Sequence, residues 1–233
     1  MTTPAIPLLP TALDPPLTDQ AESIDEVWTL FLWIGLGVLA LVVVLVLWVV
    51  VRYRRRDDRL PRQKHYNIPM EITYTLIPLL VVCALFAVTF VTVRAIDDTD
   101  ADPDLVVHVL AYQWSWQFDY PDEGVTVFDR SDVDDPELVL PASSSVRFDL
   151  ESADVVHSFW LTPFRFKRDM IPGTPTSFSV DIGDTTGEFP NAGVCGEFCG
   201  LDHARMHFRL RVLPPDEFEQ WLDDQREAGG GVP

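Results

Sequence analysis

Residues 195–206 read CGEFCGLDHARM and set Cys195, Cys199, His203 and Met206 at separations of four, four and three. Two thiols, an imidazole and a thioether are soft ligands, suited to transition metals and ill suited to magnesium or calcium. An earlier histidine, His157, stands in the apolar run HSFWL and reaches the same pocket only by folding. Three chemistries fit the set. A structural zinc site would close a tetrahedron from Cys195, Cys199, His203 and His157; three residues separate the cysteines where two are usual, and Met206 is left without a role. A disulfide between Cys195 and Cys199 suits an oxidising compartment and leaves the placement of His203 and Met206 to chance. A copper electron-transfer site takes two His, one Cys and a weak Met, the set that His157, His203, Cys199 and Met206 supply. Cys195 then adds a second thiolate able to bridge a second copper. Thiolates shared by two metals spread one charge over both, so little rearrangement accompanies each electron and no position need stay open for a substrate.

The elements that must position these residues are short and β-rich. Runs at 105–118, 125–128, 138–140, 145–150, 155–161, 177–182 and 207–212 are punctuated by Pro, Gly, Asp and Ser. Strands at that spacing, with no helix between them, predict a sandwich or Greek-key barrel over 95–213. A helix is expected after Pro214 and Pro215, with Phe218, Trp221 and Leu222 on one face, in a C-terminal segment 214–233.

The first hundred residues follow a different pattern. Residues 27–51 and 72–93 contain no charged side chain, and each is long enough as a helix to cross about 30 Å of hydrocarbon. A domain of this size cannot enclose two such helices in a soluble core. They predict a transmembrane hairpin over 27–94, with Pro78 inside the second span. The intervening loop, 52–70, carries seven basic and two acidic side chains, which places it in the cytoplasm. The acidic N-terminal segment 1–26 and the region after the second span are therefore extracytoplasmic. The fold class expected is an α+β membrane protein, a two-helix hairpin followed by a β-barrel or sandwich, multi-pass in the cell membrane.

Charge agrees with that division. The net charge is −19, and residues 97–233 alone hold 28 acidic and nine basic side chains. So acidic an exterior excludes a general nucleic-acid binder, which needs a basic face, and would steer a basic protein partner toward it. The chain has three cysteines, one of them (Cys83) inside an apolar run, which excludes a disulfide scaffold. Between Tyr112 and Tyr120 every second residue is aromatic, so Trp114 and Trp116 are expected on one face of a strand.

Segment 195–206 resembles the binuclear CuA loop of the cytochrome c oxidase subunit II family, in the haem–copper oxidase superfamily. Three further stretches resemble that family in the same order: EITYTLIP at 71–78, AYQWSWQFDY at 111–120 and DVVHSFWLTPFRFKRDMIPG at 154–173. With the two spans, the resemblance covers 27–212.

The resemblance implies a cupredoxin-like β-domain and an aa3-type-like, proton-translocating oxidase. In such an oxidase this chain takes electrons from cytochrome c and passes them to haem in subunit I, where oxygen is reduced. It implies that His157, Cys195, Cys199, His203 and Met206 bind two coppers through their side chains and Glu197 through its backbone carbonyl. The Glu197 side chain would face a magnesium ion shared with subunit I. Trp114 matches the tryptophan that receives the electron, Asp119 and Asp154 match acidic docking positions, and Glu71 matches the mouth of a proton path. Ser115 departs from relatives that carry an aromatic residue there. No C-x-x-C-H haem motif occurs in the chain, so haems belong to the partner subunit. Two other readings use part of the same set: the CuA-bearing subunit of a nitric oxide reductase, and a membrane-anchored copper-binding protein, which would need neither Trp114 nor Glu71.

Overall fold

A computed structural model describes residues 15–54, 64–97, 102–128 and 135–228, with the backbone alone at Asn191. Most of the basic loop and part of the acidic linker after the second span lie outside the described residues. The chain divides into two units, residues 23–95 and residues 1–22 with 96–233.

The helical unit follows from its hydropathy. Helix α1 (Asp19–Arg52) and helix α2 (Ile68–Ile96) contain windows of mean hydropathy 3.2 and 2.7, none of which is buried within the protein. Both helices outrun the uncharged stretches because their starts are set by polar caps. Thr18 Oγ1 accepts the N–H of Ala21 at 3.1 Å, and Glu71 Oε1 accepts the N–H of Asn67 at 3.0 Å. Acidic residues occupy both first turns and an arginine both last turns, the arrangement the helix dipole favours.

The β unit consists of β1 (Leu105–Tyr112), β2 (Ser115–Tyr120), β3 (Val125–Phe128), β4 (Glu137–Pro141), β5 (Ser145–Ser152), β6 (His157–Leu161), β7 (Phe166–Met170), β8 (Thr176–Asp181), β9 (Gly187–Cys195) and β10 (His207–Leu213), then α3 (Pro215–Glu227). They form two five-stranded sheets, ordered β3-β2-β1-β5-β8 and β4-β10-β9-β6-β7. Pairing is antiparallel except for β1 with β5 and β10 with β4. Strict alternation along β1, β2 and β5 turns one face inward.

Aromatic side chains fill the space between the sheets. Phe159 and Phe208 stack at 5.1 Å, and Trp116 meets both edge-on at 5.7 and 5.3 Å. Close approach is what Gly193 permits: a Cβ there would fall 2.2 Å from the Phe208 ring.

Two details differ from the sequence expectations. The run 105–118 is two strands, broken at Gln113 and Trp114, so Trp114 lies in the turn and does not share the buried face of Trp116, Phe118 and Tyr120. Strands β7 and β9 are additional. The first is an outer strand whose charged FKRDM pattern hides it, and the second carries Gly and Pro in GEFPNAGVC.

Residues just before the first span belong to the β unit. Leu17 donates its N–H to Pro163 O at 3.2 Å and accepts the Gly183 N–H at 2.9 Å, while Thr18 bridges to Ile182. Leu17, Thr18 and Ala21 are buried there.

Tyr120 joins the two sheets at one edge. Its buried hydroxyl donates to Val139 O at 2.8 Å and accepts from Val139 N–H at 3.0 Å. Burial holds this phenol well above its ordinary range, against the pull of that backbone bond, so it remains a donor. Tyr120→Phe should therefore lower the unfolding free energy by about 1–3 kcal/mol, the cost of leaving buried backbone groups unpaired. Chemical unfolding followed through the tryptophans measures it, and an unchanged midpoint would show that the hydroxyl joins nothing.

Candidate metal centre

Pairing of β6 with β9 sets Phe159 opposite Cys195, which brings His157, two residues earlier, over the end of β9. The loop that follows is closed at its neck. Cys195 N–H donates to Met206 O at 3.0 Å, and Gly196 N–H donates to Ser158 O at 2.9 Å. A short 3-10 turn, His203–Arg205, returns the chain to β10.

Six groups converge inside that loop. Cys195 Sγ lies 3.8 Å from Cys199 Sγ, 3.8 Å from His157 Nδ1 and 3.1 Å from the carbonyl oxygen of Glu197. Cys199 Sγ lies 3.6 Å from His203 Nδ1 and 3.7 Å from Met206 Sδ. His157, Cys195, Cys199 and Met206 are buried and His203 is half-buried. His157, Cys195 and Cys199 form a candidate metal site, with their ligand atoms within 4.8 Å of one another. Both sulfurs are free thiols. A closed zinc tetrahedron would use four of the six groups and leave the Met206 thioether and the Glu197 carbonyl facing the sulfurs without purpose. The donor set fits copper better, since thiolate, imidazole and thioether are its preferred ligands.

His157 is fixed from behind. Its Nε2 lies 2.9 Å from Asp154 Oδ1, so the ring turns Nδ1 toward the sulfurs, the carboxylate–histidine arrangement common at metal sites. Asp154 also accepts the N–H of Val155 at 2.6 Å and of Gln113 at 2.7 Å.

Charge couples these groups. Partial burial raises the Asp154 carboxyl, but the bonds from His157, Val155 and Gln113 outweigh it and hold the group below its usual range. Burial likewise works against the charged His157 ring, yet Cys195 and Asp154 raise it above its ordinary value. For Cys195 burial pushes the thiol up, and bonds with His157, the backbone at Ser158 and Glu197, and His203 bring it down to about 6. Burial and then the Cys195 charge push Cys199 up to about 12. Within the metal-free pair Cys195 is therefore the sulfur favoured to ionise first, and a metal held by both sulfurs would displace the Cys199 proton.

The Glu197 side chain is half-exposed, with its carboxylate 3.9 Å from Lys167 Nζ. Trp114 crowns the loop from the β1–β2 turn. It is 36% exposed, and its indole N–H donates to Cys199 O at 3.2 Å. On the same loop Leu201 is 88% and Phe198 79% exposed.

Two expected functional residues lie elsewhere. Asp119 sits on the outer face of the first sheet, opposite His108, with both oxygens accepting from Gln117 Nε2. Glu71 belongs to the helical unit, in the first turn of α2. Sequence reasoning missed the role of Asp154 behind His157, for which the spacing of three was the signal. It also missed Gln113, for which no signal existed.

Membrane-length helices joined to a β-sandwich that carries a sulfur-rich pocket define a membrane-anchored cupredoxin-like protein. Residues 105–212 match the model for the periplasmic domain of cytochrome c oxidase subunit II, and residues 11–92 match that for its transmembrane domain. The chain is 34% identical to a probable cytochrome c oxidase subunit 2 of Streptomyces avermitilis over 94% of its own length and 80% of the relative's. It is 29% identical to cytochrome c oxidase subunit 2 of Mycobacterium bovis, covering 90% of this chain and 73% of that one. A crystal structure of the periplasmic domain of subunit II of the Bradyrhizobium japonicum cytochrome oxidase is 30% identical, covering 55% of this chain and 96% of that one, with a TM-score of 0.49. The chain belongs to the cytochrome c oxidase subunit II family, whose members act in an oxidoreductase complex in the membrane with the C-terminal domain outside.

Titrating the reduced, metal-free chain should reveal one thiolate that appears near pH 6, because a lowered value ionises the sulfur above it. The second should remain a thiol well into alkali. Thiolate absorbance checks this, and two sulfurs ionising together near their ordinary value would contradict it.

Proposed function

We propose that this chain is the electron-accepting subunit of an aa3-type-like, proton-translocating cytochrome c oxidase. His157, Cys195, Cys199, His203 and Met206 would hold a binuclear copper centre with their side chains, and Glu197 with its carbonyl. Such a centre, when bound, supplies a one-electron carrier whose charge is spread over two metals. Oxygen reduction belongs to subunit I and its haems.

One observation carries this reading above a mere copper store. A partly exposed indole donates its N–H to the carbonyl of Cys199, whose own sulfur stands in the cluster. Trp114 thereby offers a route of one hydrogen bond and a few covalent bonds from the surface to the buried sulfurs. A storage protein has no use for it.

The other residues take supporting parts. Asp154 orients His157, and with Asp119 and the general acidity of the exterior it attracts a basic cytochrome c. The Glu197 carboxylate would share a magnesium ion with subunit I; its half exposure, beside Lys167, is compatible with that part. Glu71, in the first turn of α2 on the side of the basic loop, marks where protons are collected from the cytoplasm. The packing of Leu17 and Thr18 on the β unit supports an N-terminus on the same outer side as the metal centre. Both termini are then extracytoplasmic.

Trp114→Ala should slow reduction of the assembled oxidase by cytochrome c about tenfold or more, equivalent to losing at least about 1.4 kcal/mol of transition-state stabilisation, with the copper content unchanged. Stopped-flow mixing with reduced cytochrome c reads the rate. Reduction as fast as in the parent protein would contradict the assignment.

A further inference from the structure

Gln113 lies outside the sulfur cluster, yet it touches both loops that carry the cluster's ligands. Its backbone N–H donates to Asp154 Oδ2, the carboxylate behind His157, at 2.7 Å. Its side-chain amide donates to Cys199 O, also at 2.7 Å. Trp114 Nε1–H donates to that same oxygen at 3.2 Å. A carbonyl has two acceptor positions, so the pair of neighbouring side chains fills it, with Gln113 making the shorter bond.

The backbone contact would survive with any non-proline residue at 113. The side-chain contact would not, and nothing in the β1–β2 turn itself calls for a glutamine. Gln113 is exposed, so its amide could be solvated instead. It reaches across 86 residues of sequence to a loop of the other sheet. The neck bonds at Cys195 and Gly196 hold one end of that loop, and the turn at His203–Arg205 holds the other. Cys199 stands between them, and its carbonyl is gripped from the far sheet. Gly200 fits this grip: its φ is +125°, and a Cβ would lie 3.0 Å from Gln113 Nε2 and 3.1 Å from Trp114 Nε1.

We infer that Gln113 is a positioning residue whose side-chain amide fixes the Cys199 carbonyl. It thereby holds the Cys199 sulfur against Cys195 and keeps that oxygen within reach of the Trp114 indole. Gln113 acts through Cys199 and Trp114 and touches no reacting atom. Its consequence for electron transfer rests on the function proposed above, whereas the grip itself exists in the metal-free chain.

The test uses the full chain in detergent, with Gln113→Met (same length, no donor) and Gln113→Glu (same length, no N–H donor at neutral pH, negative charge facing the carbonyl). In the reduced, metal-free chain, amide hydrogen exchange across residues 197–203 should speed up about fivefold in the Met variant, the loss of one ordinary hydrogen bond, and more in the Glu variant. The Trp114 indole N–H resonance, assigned through Trp114→Phe, should shift in both. In copper-loaded chains the reduction potential should move while the copper count stays the same. Exchange and indole resonance at parental values, or an unmoved potential in the loaded variants, would overturn the inference. If the parent chain takes up no paired copper, the proposed function fails and the metal-free measurements still decide the role of Gln113. Should the Glu variant not fold, the Met variant alone decides it.

Discussion

The hydrogen bond from Cys195 N–H to Met206 O closes the neck of the ligand loop, and the rest of the site depends on that closure. It continues the β9–β10 ladder to its last rung, so the loop inherits the rigidity of a sheet and not the freedom of a surface connection. The two sulfurs, 3.8 Å apart, are too close to ionise independently in a buried pocket. Bringing them together costs electrostatic free energy that sheet pairing and aromatic packing must offset. The opposite directions in which Cys195 and Cys199 are shifted reflect this cost, and a cation held by both sulfurs would lower it.

Support for the loop comes in layers. Beneath it lies the Phe159–Phe208 stack, admitted by Gly193. Behind His157 stands Asp154, and above Cys199 stand Gln113 and Trp114. Each layer originates in a different strand or turn, so the ligand geometry reports on the whole sandwich. The same architecture leaves the tip of the loop bare: Phe198 and Leu201 project into the surroundings while the polar groups of the loop face inward or pair. Under the proposed function, this buried set of soft groups beneath an apolar, partly aromatic loop tip would receive charge from a docked partner.

Much of this was legible in the sequence because the governing patterns are coarse. Two long uncharged runs read as spans, and the alternation along 105–112 and 145–150 reads as half-buried strands. The soft ligands at 195–206 were visible as a set, and the structure brings His157 to them as expected. Trp114 was misread as continuing a strand stripe, because alternation in Tyr112–Tyr120 runs unbroken through a turn that only tertiary packing creates. Strands β7 and β9 were missed because their charge and Gly–Pro content reflect an edge position and a close ring contact. Asp154 and Gln113 act through partners at long range. Hydrogen bonds of that kind leave no periodicity to read.

The proposed function requires two copper ions, held at Cys195 and Cys199, that share one electron. Metal analysis of the matured full chain, combined with electron paramagnetic resonance of its oxidised form, decides the matter. Two copper ions per chain are expected, with a spectrum in which one unpaired electron couples equally to both nuclei. A zinc-filled pocket, a single copper with an unshared signal, or a correctly matured chain without copper would contradict it.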